Sequence, residues 1–269
     1  LEFQQALALD PRNEEAQAGL LSLRGGLKHE LLLGTDTELF SFANANHSEL
    51  VSLASQWTPR WQTTASASFY RMGGADAEKV GARVTGKMPQ WGSLTLGGAI
   101  GHDNGVIPKA ELLFDYDQGR RLAEKSFVRG FEINYGQHWY WYSGAKILTI
   151  HGAAAFYLPD LFMWSFGLTA ARSDFFGTQS EWRPSGITRM TFPILGRERP
   201  RLGGNVFFAV GTENFASVDQ VGHFSSQTYG GSLQLHLTER QYVRATTGYQ
   251  RRTQDRAETN VDVTYGIHF

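Results

Sequence analysis

The sequence has no cysteine, so disulfides and thiolate metal sites are excluded. No apolar run approaches the ~18–20 residues that a transmembrane helix needs. Net charge is almost absent, with 25 Lys and Arg against 26 Asp and Glu. That balance leaves no basic footprint for nucleic acid. Proline is sparse, at 8 residues in 269, so it does little to interrupt extended segments. No signal peptide stands at Leu1. Mean hydropathy is only −0.32. What the chain does have is 30 glycines and 13% Phe, Trp and Tyr. Glycine and aromatics in quantity at modest hydropathy are what a transmembrane β-barrel shows, because only alternate residues meet lipid.

The first 26 residues, LEFQQALALDPRNEEAQAGLLSLRGG, differ from the rest. Phe3, Ala6, Leu7 and Leu9 fall near helical spacing until Asp10-Pro11 breaks the run. Asn13 can cap a second helix, whose apolar stripe of Ala16, Leu20, Leu21 and Leu23 ends at Gly25-Gly26. ALALDPRNEEAQAGL resembles the junction between consecutive tetratricopeptide repeats. One helix pair cannot bury a solenoid core, so the resemblance implies further repeats before Leu1. The chain is then expected to be a piece of a longer precursor. A lone amphipathic helical hairpin is the alternative.

Residues 27–269 give no convincing helix and many alternating segments. In KVGARVTGK, Val80, Ala82 and Val84 alternate with Lys79, Arg83 and Lys87. FMWSFGLTA sets Phe162, Trp164, Phe166 and Leu168 opposite Ser165, Gly167 and Thr169. YGGSLQLHL sets Tyr229, Leu233, Leu235 and Leu237 opposite Ser232, Gln234 and His236. Period-2 alternation of this length marks strands with one greasy and one wet face. About 14 such segments are expected, with 12 or 16 as alternatives because 118–127 and 139–146 are ambiguous. Tight connectors, such as Thr58-Pro59-Arg60 and Pro159-Asp160, alternate with longer polar ones, such as 43–48 and 215–223. That is the asymmetry between the two ends of an outer-membrane barrel. A soluble sandwich or propeller also has many strands, but of about 5–6 residues each. Here the segments are longer, with aromatics at their ends: Trp57, Trp61, Trp91, Tyr157, Trp164 and Trp182. The expected fold class is therefore all-β, a transmembrane antiparallel up-and-down barrel behind a short helical segment.

The last nine residues, VDVTYGIHF, alternate strictly: Val261, Val263, Tyr265, Ile267 and Phe269 against Asp262, Thr264, Gly266 and His268. They resemble the C-terminal signal of bacterial outer-membrane proteins, which implies recognition by the outer-membrane assembly machinery. Together with VRGFEINYGQHWYWY and LTERQYVRATTGYQ, the architecture resembles the YaiO-type outer-membrane barrel family, which carries tetratricopeptide repeats ahead of its barrel. The resemblance implies a barrel in the outer membrane of a Gram-negative cell with its helices in the periplasm, where a partner could bind them.

Alternation also names an inward set: Asp36, Glu38, Lys79, Arg83, Lys87, Lys109, Glu111, Asp115, Glu132, Arg189, Glu213, Arg244, Arg252 and Asp262. Both signs are present, so these side chains either pair and fill the lumen or contact a polar solute. Without dominance of one sign, a neutral or mixed-charge cargo fits better than an anion or a cation. Tyr70, Tyr140, Tyr142, Tyr157 and Tyr242 are candidates for stacking on sugar faces, each alternatively girdle or filler. Repeats joined to a barrel resemble the porins that export cellulose and poly-N-acetylglucosamine, which implies passage of an exopolysaccharide. A closed structural or receptor barrel is the second reading. A lipid hydrolase is the third, but histidines such as His138, His151, His223, His236 and His268 are scattered and no Gly-x-Ser-x-Gly is present. HxH and HExxH spacings are absent too, so no enzyme activity, metal or cofactor is expected.

Overall fold

The computed structural model describes residues 27–102, 105–123, 125–175, 180–196, 200–211, 226–252 and 255–269. The helical segment expected over residues 1–26 lies outside them. The described chain forms 14 strands: β1 His29–Phe40, β2 Asn46–Thr58, β3 Trp61–Met72, β4 Ala75–Met88, β5 Gly92–Gly101, β6 Ala110–Arg121 and β7 Gly130–Trp141, then β8 Ala145–Tyr157, β9 Met163–Phe175, β10 Glu181–Leu195, β11 Leu202–Gly211, β12 Ser226–His236, β13 Gln241–Arg252 and β14 Ala257–His268. Each pairs antiparallel with its neighbours in sequence, and β1 pairs with β14, closing the sheet into a barrel. Fourteen strands spaced about 4.8 Å apart and tilted by about 40° give a backbone radius of about 14 Å.

Closure is completed at the seam by main-chain bonds of the flanking residues. His29 N donates to Phe269 O at 3.0 Å, and Phe269 N donates to His29 O at 2.9 Å. The two rings meet with centroids 5.5 Å apart. This end of the barrel is called the base and the opposite end the mouth.

The two faces of the sheet separate by chemistry. Leu33, Val51, Val80, Leu96, Ile100, Leu168, Val206 and Leu233 all point outward and stay exposed, Leu168 with 68% of its surface open. In water each such residue would forgo roughly 1.5–3 kcal/mol of burial. Glu38, Gln250, Glu258 and Thr264 are instead almost completely buried, on the inner face. An apolar wall around polar contents suits a hydrocarbon surround, not water. Trp57, Trp61, Trp91, Trp164 and Phe269 ring the base end of that wall. The Trp57 and Trp164 indoles donate to Thr63 at 2.7 Å and Thr188 at 2.9 Å, which satisfies their N–H groups within the belt. Tyr157, expected among these end aromatics, belongs to the other face.

The ambiguous stretches resolve at strand ends. Gln118–Arg121 finish β6, placing Arg120 outward and Arg121 inward, and Tyr142–Gly144 form the short β7–β8 turn. The ends of the barrel differ less than the connectors suggested. At the mouth, Gly73 and Gly74 alone close β3–β4, with φ of 58° and 82°, the left-handed pair a two-residue hairpin requires. At the base, Trp91 N bonds to Met88 O around Pro89-Gln90, with Gln90 at φ 73°.

Candidate functional site

The lumen wall is built by every second residue of each strand, and the register fixes which. Asp36 pairs with Asp262 on β14 and Ser48 on β2, Lys79 with Ser68 and Gly101, and Arg189 with Ser165 and Phe207. By this register Asp36, Glu38, Lys79, Arg83, Lys87, Glu111, Asp115, Glu132, Arg189, Arg244, Arg252 and Asp262 share the inner face. Lys109 precedes β6 and is exposed at the mouth. Glu213 lies outside the described residues. Of the tyrosines, Tyr70, Tyr140, Tyr157 and Tyr242 face inward, and Tyr142 sits buried in its turn.

These side chains form three groups along the wall. Near the mouth, Lys79 Nζ reaches Glu111 Oε1 at 2.7 Å across β5, whose inward residues at that level are Gly101 and Ala99. His138 Nε2 lies 3.3 Å from the other Glu111 oxygen, a contact not aligned as a hydrogen bond. Tyr140 bonds His138 Nδ1 at 2.6 Å, and the Lys79 ammonium sits 5.1 Å from the Tyr70 ring centre. Above them the β5–β6 connection turns in, so that Ile107 is fully buried against Tyr70, Met72 and Ala77.

The second group follows the seam. Asn260 donates to Asp36, and Asn46 donates to Glu38 at 3.0 Å. Arg252 pairs with Glu258 and donates to Gln250, whose amide reaches Ser226 at 3.0 Å. Toward the base, Tyr242 donates to Glu30 at 2.8 Å. The third group lies on the wall of β6–β8. His151 meets Asp115 at 3.3 Å directly over Gly136, where a Cβ would fall 2.1 Å from the imidazole. Asn134 donates to Asp117 and Tyr157 to Glu132, both at 2.7 Å.

All these contacts join strands no more than two apart, so they line the wall and do not span the lumen. They also divide the charges unequally. Among the described side chains every inward carboxylate but one accepts a hydrogen bond or ion pair, Asp262 the weakest, from Thr264 at 3.4 Å; the exception, Asp115, meets only the His151 imidazole. Arg83, Lys87, Arg189 and Arg244 have no hydrogen-bonded or ion-paired partner among the described residues. These four run from mid-barrel to the base. A count of charges near zero therefore conceals an excess of uncommitted cations.

Among the described residues no group of three or more His, Asp and Glu is gathered for a metal ion. Sequence reasoning missed Glu30, Asp117, Asn134, Asn260, Glu258 and Phe207 on this wall. Strand parity was the available signal, since each sits two or four residues from a named inward position or on the wet side of an alternating run.

No protein-family model matches the chain, and no curated protein matches it. Solved structures do. A bacterial polysaccharide outer membrane secretin superposes with a TM-score of 0.56 at 11% identity, covering 90% of this chain and 99% of that one. The outer membrane protein Omp33 of Acinetobacter baumannii gives 0.51 at 10% identity, covering 91% and 100%. At identities this low the likeness is one of fold, and the fold is that of a bacterial outer-membrane β-barrel.

Proposed function

We propose that the protein passes, or assists the passage of, an exopolysaccharide across the outer membrane. The observation that carries the reading is the lumen: a closed ring of 14 strands lined by polar and charged groups whose contacts hug the wall. Fourteen strands lie between barrels that fill with side chains and those that hold wide aqueous channels, a range that suits an extended polymer. The likeness to a polysaccharide secretin of the outer membrane supports the same reading. On this view the chain is of the YaiO type, residues 1–26 are repeat helices in the periplasm meeting a partner there, and the mouth faces outward. Phe269 and its alternate neighbours serve the assembly machinery. The role is transport, without catalysis.

Deleting the barrel should abolish surface polymer while intracellular synthesis continues. Normal surface polymer in that strain would reject the export role. The inward β5–β6 connection, with Ile107 buried at the mouth, favours a second reading, a closed structural or receptor barrel. Single-channel recording separates the two: steady current supports the pore, and silence supports the closed form.

A further inference from the structure

On the wall of β10–β13, Phe207 extends sideways from β11 over Gly230 of β12. A Cβ at Gly230 would lie 2.2 Å from the Phe207 Cζ, and one at Gly248 of β13 would lie 3.6 Å from it. At Gly230 only a residue without a side chain permits this, so the tip of the ring rests against bare backbone of β12. The Arg189 guanidinium stands 5.7 Å from the ring centre. Arg244 lies close enough to Arg189 for their charges to interact. It also faces Asp262 diagonally, since Arg244 pairs with Thr264 and Asp262 with Thr246, and their charges interact across that diagonal without a hydrogen bond or a close ion pair. Arg189 therefore stands over the aromatic ring with Arg244 within reach of its charge, and neither guanidinium is hydrogen-bonded to a carboxylate among the described residues.

Each part of this arrangement has a matching ligand chemistry. An aromatic face packs against the C–H face of a pyranose ring. An arginine fork without a partner takes a carboxylate through two parallel N–H bonds, better than any neutral group. Two like charges left facing each other are relieved by an anion between them. Seven strands away around the ring, β4 faces β11 and carries Arg83 and Lys87, which likewise have no hydrogen-bonded or ion-paired partner among the described residues. An acidic chain between the two walls would meet cations on both sides.

We propose that Arg189, Phe207 and Arg244 form a subsite for a carboxylate-bearing sugar unit, so that the cargo is an acidic polysaccharide. The inference rests on the export reading and narrows its substrate class. It departs from the neutral or mixed-charge cargo suggested by counting charges, because among the described residues nearly all the acids of the lumen accept a hydrogen bond and these two cations donate none.

The test is titration of the purified full chain with a uronic-acid oligomer and with a neutral glucan oligomer of equal length. Binding is followed by calorimetry in detergent and by current block in planar bilayers. The uronate should bind at least about tenfold more tightly, a preference of the size that a charge-assisted pair supplies. In Arg189→Gln/Arg244→Gln the preference should vanish while weak binding of both oligomers persists. Phe207→Leu should weaken both sugars and leave the binding of acetate, a carboxylate without a sugar ring, unchanged. Equal affinity for the two oligomers, or a preference that survives the double glutamine variant, overturns the subsite and leaves export standing. No binding of either oligomer, together with no current, overturns both. Folding of each variant is checked by its heat-modifiable gel mobility, and Arg189→Lys/Arg244→Lys, which keeps the charge, should restore part of the preference.

Discussion

Leu168 and Thr169 are adjacent on β9, near the middle of the strand, and they point to opposite sides of the wall. Replacing each by arginine places the same side chain at the same depth, once in the surround and once in the lumen. Leu168 has 68% of its surface open to that surround. An arginine facing lipid near the bilayer midplane costs about 2–4 kcal/mol, falling to about 0–1 kcal/mol at the interfaces. In the lumen the guanidinium keeps water and gains polar neighbours, with His151 directly across on β8. The expected cost there is under about 1 kcal/mol. Leu168→Arg should therefore shift the unfolding equilibrium by roughly 30- to 1,000-fold and Thr169→Arg by less than about tenfold. The measurement is reversible guanidinium unfolding of barrels folded into phospholipid vesicles, followed by the fluorescence of the seven tryptophans. If Thr169→Arg costs as much as Leu168→Arg, or more, the assignment of faces is wrong and the membrane reading fails with it.

Glu111 holds Lys79 at 2.7 Å in a spot where their side chains are only 9% and 16% exposed. Glu111→Gln should cost about 2 kcal/mol, below the ~3–5 kcal/mol of a fully buried broken pair because the site borders water, and the Lys79→Met/Glu111→Gln double variant should cost less than the two single changes added together in the same unfolding assay. Phe269 touches His29 through its ring, but its seam hydrogen bonds come from the main chain. Phe269→Ala should thus reduce the amount of barrel assembled in cells several-fold while changing stability in vesicles by no more than about 1 kcal/mol; equal losses in both would assign the ring to seam packing alone.

The strands were legible because lipid on one side and water on the other impose a period of two that survives local noise. That is why segments such as 79–87, 162–170 and 229–237 fall inside β4, β9 and β12 to within one residue. Their ends were less legible, since beyond the apolar belt both faces are wet, as at Gln118–Arg121. Partnership inside the lumen was not legible at all. Lys79 and Glu111 are 32 residues apart and meet only because β5 offers Gly101 and Ala99 between them. Phe207 escaped notice because it sits beside Phe208, and alternation sends one inward and the other out. Its parity with Gly203, Asn205 and Ala209 marks the wet side, but its posture depends on Gly230, which lies in another strand.

The hydrogen bonds between His29 and Phe269 link positions at opposite extremes of the described chain. Until they form, β1 and β14 each display a full row of unmet amide and carbonyl groups, an arrangement that hydrocarbon penalises severely. Insertion strand by strand would hold those raw borders in oil for as long as synthesis and search require. The ring must instead be shielded by some other surface during its construction, or snap shut in a single late event governed by the slow meeting of distant segments.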